Sequence, residues 1–167
     1  MDTLKKQIKR WIAFFMIVLF VSGLTAIPVR SEINFMYRMT GDIRFLQPWI
    51  EKLHDGINET ADKYPFLFYG YDWLAFAHFV LAILFIGPLK DPVRNKWVLE
   101  FGMISCLLII PFALVAGHFR GIPFWWRLVD CSFGVLGLIP LGICLNKIRK
   151  LENEEKREAG LYADVLQ

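Results

Sequence analysis

The stretch FWWRLVDCSFGVLGLIPLGIC, residues 124–144, decides the fold of this chain. It is apolar and long enough to cross a bilayer as a helix, which takes about 20 residues, yet it contains an arginine and an aspartate. If the stretch is helical, residues at alternating spacings of three and four share one side of the helix. They are Arg127, Asp130, Gly134, Gly137, Leu141 and Cys144. Glycines on a membrane helix let a neighbouring helix approach closely. We therefore predict that this stripe, including its two charges, faces the interior of the protein.

The composition of the whole chain indicates an integral membrane protein. Of its 167 residues, 56% are hydrophobic, and four apolar stretches approach or exceed the length of about 18–20 residues that a spanning helix needs. The net charge of +3 is too small to indicate nucleic-acid binding. The three cysteines form no C-x-x-C pair, so we expect them to pack as small apolar side chains, without a disulfide framework or a metal site. They are Cys106, Cys131 and Cys144.

We predict an all-α fold, an integral membrane bundle of four transmembrane helices in a single membrane domain. The spans cover about residues 11–28, 71–89, 97–117 and 124–146, and residues 147–167 form a tail. The first stretch follows a cluster of basic residues, as the apolar core of a secretory signal peptide does. It is longer than a typical signal-peptide core and lacks a good cleavage site, so we expect a retained span.

The long connection at residues 30–70 is predicted to carry short helices outside the membrane. Ser31 is expected to cap the first of them and Gly41 to end it. Pro48 suits the first turn of a second helix with a single apolar stripe. The stripe consists of Leu46, Trp49, Ile50, Leu53 and Ile57. Because this amphipathic helix is too short to span a bilayer, we expect it to lie along the interface as a lid over the bundle.

Basic residues at the ends of the spans predict the orientation of the chain. They flank the N-terminus, the turn at residues 90–96 and the end of the fourth span. The positive-inside rule places these three regions, and with them both termini, in the cytoplasm. The loop at residues 30–70 and the turn after His118 then face outward.

Four ionisable residues are predicted to lie at similar depths near the outer face. His78 and Asp130 each lie about six or seven residues, or roughly 10 Å, from the outer end of their span, and Asp72 and Arg127 lie nearer to it. Charges at the centre of a membrane helix cost about 2.5–3.5 kcal/mol each, so they are expected to pair, to contact water or to bind a ligand. Two interpretations stay open. Arg127 could form a structural ion pair with Asp130 or Asp72, or all four residues could form an outward-facing ligand-binding site.

Our leading hypothesis for the function is a non-catalytic binding or accessory membrane protein that uses this polar layer. Its ligand would be a small amphiphilic molecule or a lipid headgroup. The first alternative is a small membrane enzyme that acts on a lipid or amphiphile, with His78 and Asp130 as the acid–base pair. A transporter subunit is a lesser alternative, because the sequence has no convincing internal repeat.

No cofactor is expected. A haem held by His78 and His118 is disfavoured because the two histidines differ in depth, whereas axial ligands of one haem face each other. The partners that we expect are membrane lipids. The sequence leaves open whether further copies of the chain or another membrane protein also bind.

Three blocks of sequence carry a resemblance to known proteins. They are DPVRN at residues 91–95, EFGM at residues 100–103 and WRLVDCSFG at residues 126–134. They resemble blocks of small, uncharacterised four-span membrane proteins of bacteria, over spans two to four but not over the first loop. The resemblance implies a bacterial inner (cytoplasmic) membrane. It implies no activity and assigns no functional residue.

Overall fold

The regular structure is helical throughout the part of the chain that the computed structural model describes, residues 2–40 and 43–165, with side chains up to residue 158. The α-helices are α1 Asp2–Ala26, α2 Val29–Thr40, α3 Gln47–Lys63, α4 Tyr69–Leu84, α5 Ile86–Lys90, α6 Lys96–Phe119 and α7 Phe124–Val165. A 3₁₀ turn, Pro65–Phe68, precedes α4. Within the described residues, four segments are long and apolar enough to cross a membrane, namely Asp2–Ala26, Pro65–Lys90, Lys96–Phe119 and Phe124–Glu158. The predicted all-α fold with four spans is confirmed.

The chain forms two compact units. Unit 1 comprises the described residues of Met1–Ile17 and Ile83–Gln167, and thus contains the first part of α1 together with α5, α6 and α7. Unit 2 comprises Val18–Ala82, and thus contains the end of α1, the helices α2 and α3, and most of α4.

In unit 1, α6 and α7 pack against each other as antiparallel neighbours joined by a short turn. The turn follows Phe119 and includes Gly121, whose φ of 69° lies in the left-handed region that glycine adopts without strain. The backbone N–H of Gly121 donates to His118 O at 3.1 Å, and that of Ile122 donates to Gly117 O at 2.9 Å. These bonds satisfy two of the carbonyl groups that the end of a helix otherwise leaves open.

The two glycines of the stripe on α7 that the sequence places toward the interior, Gly134 and Gly137, do face α6. A Cβ atom added at Gly134 would lie only 2.5 Å from the carbonyl oxygen of Cys106, and one at Gly137 would lie 2.7 Å from the Cys106 sulfur. Further along the stripe, Leu141 and Cys144 are each 1% exposed. The glycines therefore allow the close helix contact that their spacing predicts.

The helix α7 continues well past residue 146, where the predicted span ends. At 42 residues it is about 63 Å long, which is about twice the thickness of the hydrocarbon core. Its continuation packs within unit 1, where Ile148 and Leu151 are fully buried. Lys147 Nζ donates to Gln7 Oε1 of α1 at 2.6 Å, so the basic start of α1 is part of the same packed region. The last two residues of the predicted tail, 166 and 167, lie outside the described residues.

The second span is interrupted near its end. The sequence predicts this span over about residues 71–89, but α4 ends at Leu84, and α5 follows after one residue. Pro88 has no N–H, so it cannot donate the helical hydrogen bond to the carbonyl of Leu84. The intervening residue, Phe85, is 2% exposed, and its ring centroid lies 4.9 Å from that of Phe15 in α1.

In unit 2, α2 and α3 form a pair of amphipathic helices. Arg30 of α2 donates from Nε to Asn58 Oδ1 at 2.9 Å and forms an ion pair with Asp62 at 3.0 Å. Ile33 and Ile50 are buried. This confirms that the first loop carries amphipathic helices, while their role as a lid stays a prediction.

The predicted ends of these two helices have different outcomes. The N–H of Glu32 donates to Pro28 O at 3.0 Å, so α2 begins at Val29 and the predicted cap at Ser31 is wrong. Pro48 does lie in the first turn of α3, as predicted. Gly41, the predicted end of α2, lies outside the described residues.

Candidate functional site

Arg127 lies within the first turns of α7, against the C-terminal end of α6. Its aliphatic part covers Gly117 of α6, which is buried. A Cβ atom at Gly117 would lie 2.5 Å from Arg127 Cδ and 2.6 Å from Arg127 Cγ. Because even a methyl group would collide with the arginine side chain, glycine at position 117 is what lets Arg127 lie flat on α6.

The guanidinium of Arg127 is held by backbone and aromatic groups. Nη1 donates to the carbonyl oxygen of Leu114 at 3.1 Å, and Cζ lies 5.3 Å from the ring centroid of Phe124, within cation–π distance. The Nε–H is buried without an acceptor among the described residues. Since the C-terminal end of a helix carries partial negative charge, the end of α6 stabilises the cation in place of a carboxylate.

Asp130, one turn further along α7, is half-buried. Among the described residues of unit 1, no ion pair joins Arg127 to Asp130 or to another carboxylate, and no group donates a hydrogen bond to Asp130. Side chains on a helix lean toward its N-terminus. Arg127 follows this direction toward Gly117 and so extends away from Asp130. The ion pair between Arg127 and Asp130, one form of our structural interpretation, is not formed among the described residues, while the alternative pair of Arg127 with Asp72 stays a prediction.

In unit 2, His78 faces α1. The Cβ of His78 would lie 3.0 Å from a Cβ added at Gly23 of α1. Its Nδ1 lies 2.8 Å from the carbonyl oxygen of Leu74 in the preceding turn. Because a carbonyl only accepts hydrogen bonds, Nδ1 carries the proton, and in the neutral ring Nε2 keeps a free lone pair.

Asp72 lies on another face of α4. It precedes His78 by six residues, which at 3.6 residues per turn puts the two side chains about 120° apart around the helix. Asp72 is exposed and borders an open groove of about 240 Å³ together with Tyr69, Trp73 and Phe76. The helix α4 therefore does not bring Asp72 and His78 onto one face.

The four predicted site residues divide between the two units. Arg127 and Asp130 belong to unit 1, and Asp72 and His78 belong to unit 2. The gathering of all four in one layer stays a prediction, and so does the acid–base pair of His78 with Asp130. Sequence reasoning missed Gly117 and the carbonyl of Leu114, the two groups that position Arg127.

The three cysteines are buried, as predicted, and each is a free thiol: Cys106, Cys131 and Cys144. Among the residues that the structure describes, no group of three or more His, Cys, Asp and Glu side chains is placed to hold a metal ion.

Comparison of the chain with protein-family profiles, with curated proteins and with solved structures finds no match in any of the three. The resemblance of the three sequence blocks to small bacterial membrane proteins therefore stays a prediction.

Proposed function

We propose that this chain is a multi-pass membrane binding protein whose polar site at the C-terminal end of α6 takes the headgroup of an amphiphile. One observation carries the proposal. Arg127 and Asp130 carry opposite charges one turn apart in a segment apolar enough to span a membrane, and neither has an ionic partner among the described residues of unit 1. Charges in such segments are expected to pair, to contact water or to bind a ligand.

The chemistry of the two side chains suggests the class of ligand. A guanidinium binds phosphate and carboxylate groups through several N–H donors. Only one donor of Arg127, on Nη1, is used by the described residues, in the bond to Leu114. A carboxylate such as that of Asp130 complements an ammonium group. A zwitterionic headgroup, with an anionic phosphate next to an ammonium, would compensate both charges.

The arginine is also held in place before a ligand arrives. Its aliphatic part lies on Gly117 and its guanidinium lies near the ring of Phe124. A side chain that is already ordered loses less conformational entropy on binding. This supports a binding role for Arg127, because the ordering cost is met by folding.

We further infer that the chain lies in a bacterial inner membrane with both termini cytoplasmic, so that this site opens toward the outer face. The basic residues that flank the spans support this orientation. Reporter fusions test it. A green fluorescent protein fused to the C-terminus should fluoresce, and an alkaline phosphatase fused there should be inactive. The reverse pattern would contradict the orientation.

The binding proposal is tested with phosphatidylethanolamine, a zwitterionic phospholipid, and the purified protein in detergent. Bound lipid is measured by native mass spectrometry. Arg127→Gln and Asp130→Asn should each weaken binding by roughly 10- to 100-fold, the effect of losing a hydrogen bond to a charged group. Arg120→Gln is the matched control, because Arg120 is an exposed arginine in the turn that follows α6.

Two results would contradict the proposal. Equal binding by all three variants would show that neither charge contacts the headgroup. A lower melting temperature of Asp130→Asn with unchanged lipid binding would assign that carboxylate a structural role instead.

A further inference from the structure

Unit 1 has a basic cleft at the end where α6 begins, away from the α6–α7 turn and from Arg127 in the first turns of α7. The cleft has a volume of about 460 Å³, which lies within the range of about 300–1,000 Å³ typical of small-molecule sites. Its charged lining residues are Lys5, Lys9, Lys90, Asp91, Arg94 and Glu155. The first two belong to α1, the next three to the end of α5 and the turn after it, and the last to α7.

The basic cleft carries an excess of positive charge. Its two carboxylates already have partners, since Glu155 lies 3.7 Å from Lys5 Nζ and Asp91 Oδ1 accepts the backbone N–H of Arg94 at 3.1 Å. The side chains of the other three cations form no ion pair or hydrogen bond with any residue in the described part of the chain. These cations are Lys9, Lys90 and Arg94. The cleft therefore favours an anion.

The turn after α5, which follows Lys90 and contains Arg94, is fixed by hydrogen bonds. Asn95 Nδ2 donates to Gly87 O at 3.2 Å and to Asp91 O at 3.0 Å, and the backbone N–H of Asn95 also donates to Asp91 O at 3.2 Å. Pro92, within the turn, is buried. Lys90 and Arg94 thus start from an ordered backbone, which reduces the entropy that binding would cost.

Tryptophans close in sequence to the cleft residues indicate that the basic cleft lies at the level of the lipid headgroups. Lys9 is followed closely by Trp11, and Arg94 by Trp97, which is 58% exposed. Tryptophan is enriched at the level of the lipid headgroups. In the proposed orientation this level is that of the cytoplasmic leaflet, where basic pockets between membrane helices bind anionic headgroups.

We propose that the basic cleft binds the phosphate of an anionic phospholipid of the cytoplasmic leaflet. The site lies apart from the proposed Arg127 site and depends only on the proposed orientation. A free phosphate compound shares the same chemistry. The neighbouring apolar spans favour the lipid, because its acyl chains can lie along them while the headgroup occupies the cleft.

The test titrates phosphatidylglycerol into the full chain in detergent and measures binding from the rise in the melting temperature of the protein. The variant Lys9→Gln with Arg94→Gln removes two of the three unpaired cations. Each basic residue near the headgroups strengthens binding about fivefold, so this double variant should bind phosphatidylglycerol roughly 30-fold more weakly than the wild type. The control variant is Lys6→Gln with Arg10→Gln. It also removes one lysine and one arginine, here both from the basic start of α1, but neither residue lines the cleft and both are exposed.

Retained binding by the control and weakened binding by the cleft variant would support the proposal. An equal loss of phosphatidylglycerol binding in both variants would show that the basic residues attract the lipid only through their overall charge, and would overturn the proposal. Unchanged binding in both variants, or equal stabilisation of the wild type by phosphatidylcholine, would overturn it as well. If inorganic phosphate stabilises the wild type as well as phosphatidylglycerol does, the ligand is soluble and the lipid assignment is overturned. Lys90→Gln with Arg94→Gln provides a second cleft variant if the first does not fold, as judged by its melting temperature without lipid.

Discussion

A methyl group added at Gly134 would perturb the contact between α6 and α7 directly. The new Cβ would lie 2.5 Å from the carbonyl oxygen of Cys106 and 3.3 Å from Ile109 Cβ. Carbon–oxygen contacts between helices are ordinarily about 3.3–3.6 Å, so the two helices would have to separate by about 1 Å. Because the obstacle is backbone, a change of side-chain rotamer cannot relieve the clash.

The free-energy cost of this clash can be separated from other effects of the substitution by comparison with a second glycine of α7. Overpacking costs about 1–3 kcal/mol, whereas replacing a helical glycine by alanine stabilises the helix by about 0.5–1 kcal/mol. Gly142 is the matched control, since no atom of the described residues lies within 4 Å of a Cβ added there. The difference between Gly134→Ala and Gly142→Ala removes the helix-propensity effect. It should equal the clash alone, about 1–3 kcal/mol, or roughly 5- to 150-fold in the unfolding equilibrium constant.

The free energy of unfolding is measured by titrating dodecyl sulfate into protein held in mild detergent micelles, with tryptophan fluorescence and circular dichroism as probes. Gly142→Ala should unfold at the wild-type midpoint or above it, and Gly134→Ala below it. Equal midpoints and slopes for the two variants would refute the reasoning. Gly134 would then not lie at a helix contact, and the inward-facing stripe would lose its main support.

Two further predictions concern other regions of the chain. Leu151→Ala should lower the free energy of unfolding by about 2–5 kcal/mol, because Leu151 is fully buried. The control Lys150→Ala, at the neighbouring exposed position, should change it by less than about 0.5 kcal/mol. Equal effects of the two variants in the same dodecyl sulfate titration would show that this part of α7 does not pack. The pKa of Lys63 lies above its usual 10.5 because its ammonium donates a hydrogen bond to the carboxylate of Glu59 and is also attracted by its charge. Since the folded pKa is raised, the interaction stabilises α3 below pH 10.5 and is lost as the pH rises through the folded value, and Glu59→Gln should lower the Lys63 pKa measured by NMR of the methylated amine.

The stripe on α7 shows what sequence can predict in a membrane protein. Spacings of three and four place residues on one side of a helix whatever the helix packs against, so the burial of Gly134 and Leu141 follows from local periodicity alone. The same spacing continues through Ile148 and Leu151, both fully buried. We predicted that the span ends at residue 146 because polar residues increase there. However, a fall in hydropathy marks where a helix leaves the membrane and not where the helix ends, so α7 can continue and pack beyond that point.

The surroundings of Arg127 show what sequence could not predict. Sequence reasoning looks for the partner of a charge among side chains of opposite charge, and Asp130 at a spacing of three residues was an obvious choice. The observed acceptor is the backbone carbonyl of Leu114. Every residue has a carbonyl, so the sequence does not mark the one that is used. It becomes identifiable only when the relative position of the two helices is known.

The sequence nevertheless contains a signal for the contact between Gly117 and Arg127. In an antiparallel helix pair with a short turn, residues equally distant from the middle of the turn lie at about the same level. Gly117 and Arg127 are each five residues from Ile122, so a residue without a side chain lies opposite the longest cationic side chain. A small residue and an arginine placed in this way predict an arginine that lies flat across the partner helix, with its guanidinium near the negative end of that helix. An arginine held in this way does not require a carboxylate partner, and its remaining N–H donors can bind a ligand.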